Sequence, residues 1–127
     1  MIIAVDFDGT CVTHEYPEIG QDIGAVPVLK ALVARGDQLI LYTMRHGKTL
    51  TAAIEWFTEN GIELWAANVN PEQHTWSESR KVYAHIYIDD AALGVPLMIP
   101  VGAGRSFVDW ARVATMMGVD LTKGATP

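Results

Sequence analysis

The sequence has little cysteine and no long apolar run. Its one cysteine, Cys11, excludes an internal disulfide. Charged or polar residues interrupt every apolar run before it approaches the roughly 20 residues that cross a bilayer. The first apolar run reaches two aspartates within a few residues, which is not the pattern of a signal peptide. We therefore expect a cytoplasmic protein without a membrane-spanning segment.

Basic residues are also scarce. Nine Lys and Arg face fifteen Asp and Glu, which gives a net charge of -6 at pH 7. This charge repels polyphosphate backbones and argues against nucleic acid as a partner. Apolar residues are abundant, at 50% of the 127 positions. One hydrophobic core can serve a chain of this size, so residues 1–127 are predicted to form a single domain.

Short apolar runs alternate with helical patterns along the chain. Apolar runs rich in β-branched residues predict strands at 1–5, 38–43, 62–67 and 84–88, with a short fifth strand at 96–99 that closes an edge. Apolar residues three and four apart predict helices at 26–34, 49–58 and 107–117, the last within about 106–117, before a loose tail at 122–127. The alternation predicts an α/β fold with a mostly parallel sheet and helices on both faces.

Polar residues stand just past three of the predicted strands. In parallel sheets of this kind, ligands bind beyond the carboxyl ends of the strands, so residues at these ends are candidates for one site. The candidates are Asp6 and Asp8 after the first strand, Thr43 and Arg45 at the second, and Asp89 and Asp90 after the fourth. The segment 101–105 contains two glycines but lacks the strand–turn–helix setting of a dinucleotide site, and is interpreted as a loop.

The segment from Asp6 to Thr10 carries the most specific chemistry. It places two carboxylates two residues apart at a strand end, with Gly9 free to adopt the dihedral angles of a sharp turn. Mg²⁺ prefers oxygen ligands and usually takes one or two carboxylates. Because the four aspartates of the candidate site would repel one another without a cation, the sequence predicts a Mg²⁺ site that includes Asp89 and Asp90.

The sequence Asp6-Phe7-Asp8-Gly9-Thr10 after a hydrophobic strand resembles the first motif of the haloacid dehalogenase (HAD) superfamily. Thr43 resembles its second motif, Lys81 its third, and the strand ending in Asp89-Asp90 its fourth. The resemblance spans roughly residues 1–90, within a motif-bearing core of about 1–100. It implies a three-layer, Rossmann-like sheet and an Mg²⁺-dependent phosphatase.

The resemblance also implies roles for the motif residues. Asp6 would be the nucleophile that forms an aspartyl-phosphate, and Asp8 the general acid and base. Thr43, Lys81 and the backbone amides at Gly9 and Thr10 would meet the phosphoryl charge. The implied metal ligands are Asp6, Asp8 through its backbone carbonyl, and Asp89 and Asp90, with either of the last two as the direct ligand.

Two basic residues have open assignments. Arg80 could share or take the role of Lys81, because Lys81 lies only eight residues before Asp89. Arg45, in a loop at a strand end, is a candidate for gripping a substrate phosphate. Both are predicted to bind substrate.

Three other residues receive plainer interpretations. His14 could contact a leaving group but is interpreted as a loop residue that faces water, and Cys11 is interpreted as a small apolar filler. Trp76 lies in a polar segment and is a candidate for substrate contact.

Neither usual place for a cap domain has room for one. Only residues 11–22 precede the first helix, and residues 43–81 are filled by one helix, one strand and a loop. A capless site accepts a bulky substrate, borrows a neighbouring subunit of a homo-oligomer as its lid, or is unselective toward small phosphate esters.

We expect a phosphomonoester hydrolase that acts on a small phosphorylated metabolite, such as a sugar phosphate or nucleotide. The alternatives are a phosphatase for nucleic-acid ends, which the negative charge disfavours, and a non-catalytic signalling module that binds phosphate and Mg²⁺. Receiver domains also use clustered aspartates, but they are phosphorylated on an aspartate of their own at the third strand. This sequence has Asn68 at the end of its predicted third strand.

Overall fold

The structure, a computed structural model, describes residues 1–100 and 104–124. Its main element is a parallel sheet of four strands in the order β3-β2-β1-β4. The strands are β1 (Ile2–Val5), β2 (Gln38–Leu41), β3 (Ala66–Ala67) and β4 (Ile86–Ile88). This confirms the predicted α/β, Rossmann-like fold. All four strands are shorter than predicted, since residues such as Ile62 are buried without joining the ladder.

The central strand β1 sets the geometry of the site edge. Val5 lies opposite Leu41 of β2 on one side and Ile88 of β4 on the other. The three strands therefore end at the same level, and the residues that follow them meet at one edge of the sheet.

Three helices cover one face of this sheet. They are α1 (Ala25–Ala34), α2 (Gly47–Glu59) and α3 (Trp110–Met116), and a short α4 (Leu121–Gly124) follows. Asp22, two residues before the N-cap Gly24, accepts hydrogen bonds from Ala25 N–H at 3.0 Å and Val26 N–H at 3.4 Å, which satisfies two free amides of the first turn of α1. The sheet side chains that join this core include Ile3, Val5, Leu39, Leu41 and Ile88, and the helices supply Leu29, Leu32, Phe57, Trp110 and Val113.

The other face, where helices were also predicted, carries the largely irregular segment between β3 and β4 instead. Tyr87 alternates with the core-facing Ile86 and Ile88, and its hydroxyl donates to Val82 O at 2.7 Å. The helix of this segment is a single 3-10 turn, Gln73–Thr75. Gln73 is buried and its side-chain amide hydrogen-bonds to the backbone of Lys81 and Tyr83. The side chain of Gln73 thus forms hydrogen bonds that hold together a segment without an α-helix.

The C-terminal region differs most from prediction. The helix predicted to start near 107 begins after Asp109, whose carboxylate accepts from Arg112 N–H at 3.2 Å. Phe107–Val108 instead forms β6, which pairs antiparallel with β5 (Leu97–Met98) in a separate two-stranded sheet. The predicted fifth strand therefore exists, but it does not close an edge of the main sheet.

The predicted tail and loop fall partly outside the described residues. The first part of the tail, 122–124, belongs to α4, where a loose segment was predicted. Residues 125–127 of the tail and 101–103 of the predicted loop lie outside the described residues. Within the described residues, no helix combines the length and apolarity needed to span a membrane.

Candidate active site

Three carboxylates meet where β1 and β4 end. Asp6, Asp89 and Asp90 each place a carboxylate oxygen within 4.8 Å of the others. Asp6 N–H donates to Ile88 O at 2.9 Å, which continues the ladder and holds Asp6 beside Asp89. The structure thus brings Asp6, Asp89 and Asp90 together at the ends of neighbouring strands, where the sequence predicted them.

Thr10 ties two of these carboxylates together. Its buried hydroxyl lies 3.1 Å from Asp6 Oδ2 and 3.3 Å from Asp90 Oδ1, and it accepts from Asp90 N–H at 3.0 Å. Its carbonyl accepts from Trp110 Nε1–H at 2.6 Å. Thr10 was predicted to bind substrate, but these contacts bury it and make it a residue that positions the carboxylates.

Negative charge on the carboxylate of Asp6 is unfavourable in this cluster. Burial, the negative charge of Asp89 and a hydrogen bond with Asp90 raise the pKa of Asp6 to about 7, against the opposing effects of hydrogen bonds from the Phe7 backbone and Thr10. A shift of this size corresponds to several kcal/mol. Within residues 1–100 and 104–124, no Lys or Arg forms an ion pair with the three carboxylates.

This donor set fits Mg²⁺. Three hard carboxylate oxygens lie close enough to share one ion, and a divalent cation would compensate the charge that no Lys or Arg of the described residues neutralises. The residues that would hold it are Asp6, Asp89 and Asp90.

Asp8 is held apart from this cluster by Arg45. Arg45 Nε–H and Nη2–H donate to the two oxygens of Asp8, each at 2.8 Å. The carboxylate of Asp8 lies outside the cluster, because this fork-to-fork pair satisfies both of its oxygens. The predicted contact of Asp8 with the metal is through its backbone carbonyl and does not depend on this carboxylate.

Arg45 also has no donor left for a substrate. Its other three N–H groups donate to the backbone carbonyls of Pro17, Glu18 and Thr49, which uses all five donors of a guanidinium. Its side chain is 1% exposed, and its Cζ lies 4.9 Å and 5.1 Å from the ring centroids of Phe7 and Tyr16. The structure therefore leaves Arg45 without a free donor for the predicted substrate contact, and its hydrogen bonds instead hold Asp8 and the neighbouring loops in place.

Gly9 has two reasons to be glycine. Its φ of +77° lies in the left-handed region, and an added Cβ would come within 2.0 Å of His14 Nε2 and 2.6 Å of Asp90 Oδ2. Gly9 N–H donates to Val12 O at 2.7 Å. The predicted substrate contact through the amide of Gly9 is not available, because the turn itself uses that donor.

His14 lies at the site, although the sequence analysis favoured a loop position facing water. Its side chain is 15% exposed, and Nε2 lies 3.2 Å from Asp90 Oδ2. The interpretation as a water-facing loop residue was wrong. No signal along the chain marks it, since the contact depends on how the loop after Thr10 folds back over Gly9.

Thr43 lies half-buried after β2. Its N–H donates to Asn68 Oδ1 at 2.8 Å, and its hydroxyl oxygen accepts from Arg45 N–H at 3.1 Å. Asn68 has a φ of +56°, which a non-glycine residue rarely adopts. Asn68 is thus a second residue near the site, after β3, that the sequence reasoning did not select.

Among the described residues, the two basic candidates of the third motif form no ion pair with the carboxylates. Lys81 is exposed, with Nζ 5.6 Å from the ring centroid of Tyr87. Arg80 is exposed and borders a polar cleft of about 240 Å³ that Asn68 also lines. The structure does not bring either residue into contact with the acidic cluster.

The remaining candidates have simple surroundings. Trp76 is 61% exposed and its ring packs edge-on against Tyr83, with centroids 5.4 Å apart. Cys11 is fully buried, and burial raises the pKa of its thiol. The predicted role of Cys11 as an apolar filler agrees with this position.

Comparison with known proteins gives a relative at the level of structure. No family model matches the chain, and no curated protein matches it. Among solved structures, the chain is similar to one described as a conserved protein from Bacteroides thetaiotaomicron, with a TM-score of 0.74 and 39% sequence identity. The match covers 100% of this chain and 98% of the other, so the two share the whole fold rather than a fragment of it.

Proposed function

Since the chain belongs to the same family as this conserved protein from Bacteroides thetaiotaomicron, we propose a function from the chemistry of the site. We propose that it is a phosphomonoester hydrolase of the HAD type that depends on Mg²⁺. The observation that carries the proposal is the convergence of the oxygens of Asp6, Asp89 and Asp90 within 4.8 Å at two strand ends. The sequence motif around Asp6 supplies the reaction class.

Asp6 is the proposed nucleophile. One of its carboxylate oxygens attacks phosphorus, the bond from phosphorus to the leaving oxygen breaks, and an aspartyl-phosphate forms. Asp8 gives a proton to the leaving oxygen. A water then attacks the same phosphorus while Asp8 takes its proton, which releases phosphate and restores Asp6. Bound Mg²⁺ would supply positive charge for the carboxylates and the phosphoryl oxygens.

Arg45 has a defined task in this scheme. The paired hydrogen bonds present Asp8 as a carboxylate in a fixed orientation, which is the form that accepts a proton from water. The first step needs Asp8 in its protonated form, so the pair with Arg45 must weaken during that step. The hydroxyl of Thr43 and the ammonium of Lys81 are the proposed partners of the phosphoryl oxygens, and Lys81 must leave the ring of Tyr87 to serve there.

The proposed substrate is a small phosphorylated metabolite, such as a sugar phosphate or a nucleotide. The described residues carry no cap domain over the strand ends, so the substrate reaches an open edge. The negative charge of the chain disfavours nucleic-acid ends. We also propose a cytoplasmic location. In a homo-oligomer, a neighbouring subunit would serve as the lid of the site.

The first test is phosphate release from p-nitrophenyl phosphate and a panel of sugar phosphates, nucleotides and 3′- or 5′-phosphorylated oligonucleotides. It compares the wild type, Asp6→Asn and the control Glu55→Gln, an exposed carboxylate on α2, with Mg²⁺ and with chelator. Circular dichroism establishes equal folding.

The expected result is Mg²⁺-dependent turnover in the wild type and the control, and none in Asp6→Asn. Turnover that persists in Asp6→Asn would contradict the assigned nucleophile. Preference for the oligonucleotides would replace the small-metabolite substrate.

A further inference from the structure

His14 packs directly against the turn that carries the proposed nucleophile. Its imidazole occupies the space that a side chain at position 9 would fill, with Nε2 2.0 Å from the position of a Cβ. The loop that bears it is fixed at both sides. Thr13 N–H donates to Gln21 O at 2.9 Å, and Arg45 donates to Glu18 O at 2.7 Å.

The Nε2 atom of His14 has no hydrogen-bond partner among the described residues. It is buried and lies 3.2 Å from Asp90 Oδ2, yet the two atoms are not aligned for a hydrogen bond. Leaving a buried polar atom without a partner costs about 1–3 kcal/mol, so such an atom calls for an explanation. The only carboxylate in contact with it belongs, within the described residues, to the acidic cluster.

Direct metal ligation does not explain this arrangement. Two donors on opposite sides of one Mg²⁺ lie about 4 Å apart, since each bond is about 2.1 Å long. Among the carboxylates that the structure describes, His14 Nε2 meets this limit with Asp90 Oδ2 alone. Within the described residues, the donor atoms that all lie within 4.8 Å of one another come from Asp6, Asp89 and Asp90, without a nitrogen of His14. His14 stands beside this set, on the Oδ2 side of Asp90, while Thr10 contacts Oδ1.

We propose that His14 is a positioning residue for the divalent cation: cation binding aligns Asp90 with the imidazole, and His14 then donates Nε2–H to Asp90 Oδ2 and orients that carboxylate. This inference rests on the proposed function, because it assumes that the cluster holds a cation. Groups that orient metal-binding side chains typically change metal affinity by about 10- to 100-fold when they are removed. Gly9 then has a role in the same device, since only glycine leaves room for the imidazole.

The test is a Mn²⁺ titration followed by electron paramagnetic resonance, with Mg²⁺ as competitor, on the full chain. It compares the wild type with His14→Ala, with His14→Gln, which keeps an N–H donor near the Nε2 position, and with His74→Ala as an exposed control. Thermal melting without metal checks that each variant is folded.

We expect His14→Ala to weaken Mn²⁺ binding about 10- to 100-fold, His14→Gln to recover part of the loss, and His74→Ala to match the wild type. Affinity of His14→Ala within about twofold of the wild type overturns the proposal. A ¹⁴N coupling to Mn²⁺ in the wild type that disappears in His14→Ala also overturns it, because the imidazole would then be a direct ligand.

Failure of this inference differs from failure of the proposed function. Unchanged Mn²⁺ affinity in His14→Ala, together with metal-dependent turnover of the wild type, rejects the role of His14 and leaves the phosphatase in place. A wild type that binds no Mn²⁺ or Mg²⁺ rejects the cation site and the role of His14 with it. Weakened Mn²⁺ binding without turnover on any phosphate ester supports His14 and rejects the phosphatase.

Discussion

Arg45 and Asp8 form a forked pair in which both carboxylate oxygens accept a guanidinium N–H at 2.8 Å. The side chain of Arg45 is 1% exposed and that of Asp8 is 20% exposed. The pair joins the turn after β1 to the loop before α2, so it bears on stability as well as on the proposed chemistry.

Replacing Arg45 by Met should lower the free energy of unfolding by about 3 kcal/mol, since it leaves a partly buried carboxylate and three carbonyls without their donor. Arg45→Lys should recover only part of this, because an ammonium cannot form the forked pair. Urea denaturation measures both, with the exposed Arg80→Met as control. A loss under about 1 kcal/mol in Arg45→Met would show that the pair does not support the fold.

Divalent cations should stabilise the protein through the acidic cluster. Without metal, Asp89→Asn should melt higher than the wild type, because the charge of Asp89 opposes ionisation of Asp6. With Mg²⁺ the order should reverse, since the variant has lost a ligand. Thermal melting with and without Mg²⁺ tests this, with Glu59→Gln as control. Comparing Asp89→Asn with Asp90→Asn identifies the more important ligand, and equal melting shifts in all variants would argue against this site.

Thr10→Val should separate the hydroxyl of Thr10 from its shape. The change keeps the volume but removes the contacts with Asp6 and Asp90, so we expect kcat to fall at least about tenfold and stability to fall by about 1–2 kcal/mol. Thr10→Ser should retain most of both. The measurements are steady-state kinetics and urea denaturation. Full activity in Thr10→Val would mean that the carboxylates need no such bridge.

Lys81 and Arg80 can be distinguished by their kinetic effects. If Lys81 meets the phosphoryl charge, Lys81→Met should lower kcat by at least about tenfold, while Arg80→Met should change KM more than kcat. Steady-state kinetics on the preferred ester provides both constants. The reverse pattern would assign the third-motif role to Arg80.

Asp37 should make stability depend on pH at the other end of the sheet. Burial opposes ionisation of Asp37, but the N-terminal ammonium and Arg35 outweigh it and hold its pKa below the ordinary value of 3.8. The stabilisation is therefore complete above about pH 4 and is lost as pH falls through the lowered pKa.

Urea denaturation of the wild type and Asp37→Asn tests this dependence. Both partners of Asp37 are partly exposed, so solvent screening limits the expected loss in Asp37→Asn to about 1 kcal/mol at pH 7. The two proteins should converge as the pH falls below the lowered pKa of Asp37. A difference that does not shrink on acidification would contradict the assignment.

The sheet and the acidic cluster were predictable because their signals are local. A buried parallel strand leaves a short continuous apolar run, and the aspartates directly after two such runs had to meet at one edge. The first helix also ends at Ala34 as predicted, and Gly36 follows it with a φ of +104°, which glycine adopts readily. The C-terminal helix was misplaced because Phe107 has an apolar neighbourhood that suits a helix or a strand, and only pairing with Met98 decides between them.

The sequence by itself determined the α/β fold and the convergence of Asp6, Asp89 and Asp90. It could not determine which donors remain free at the site. The residue types and positions of Arg45, Gly9 and Thr10 predicted substrate contacts. In the folded protein, their hydrogen-bonding groups are paired with other groups of the chain. The fold also brings His14 onto Gly9. Strand ends follow from hydrophobic periodicity along the chain, whereas a hydrogen-bond partner depends on distances between segments that only tertiary packing sets.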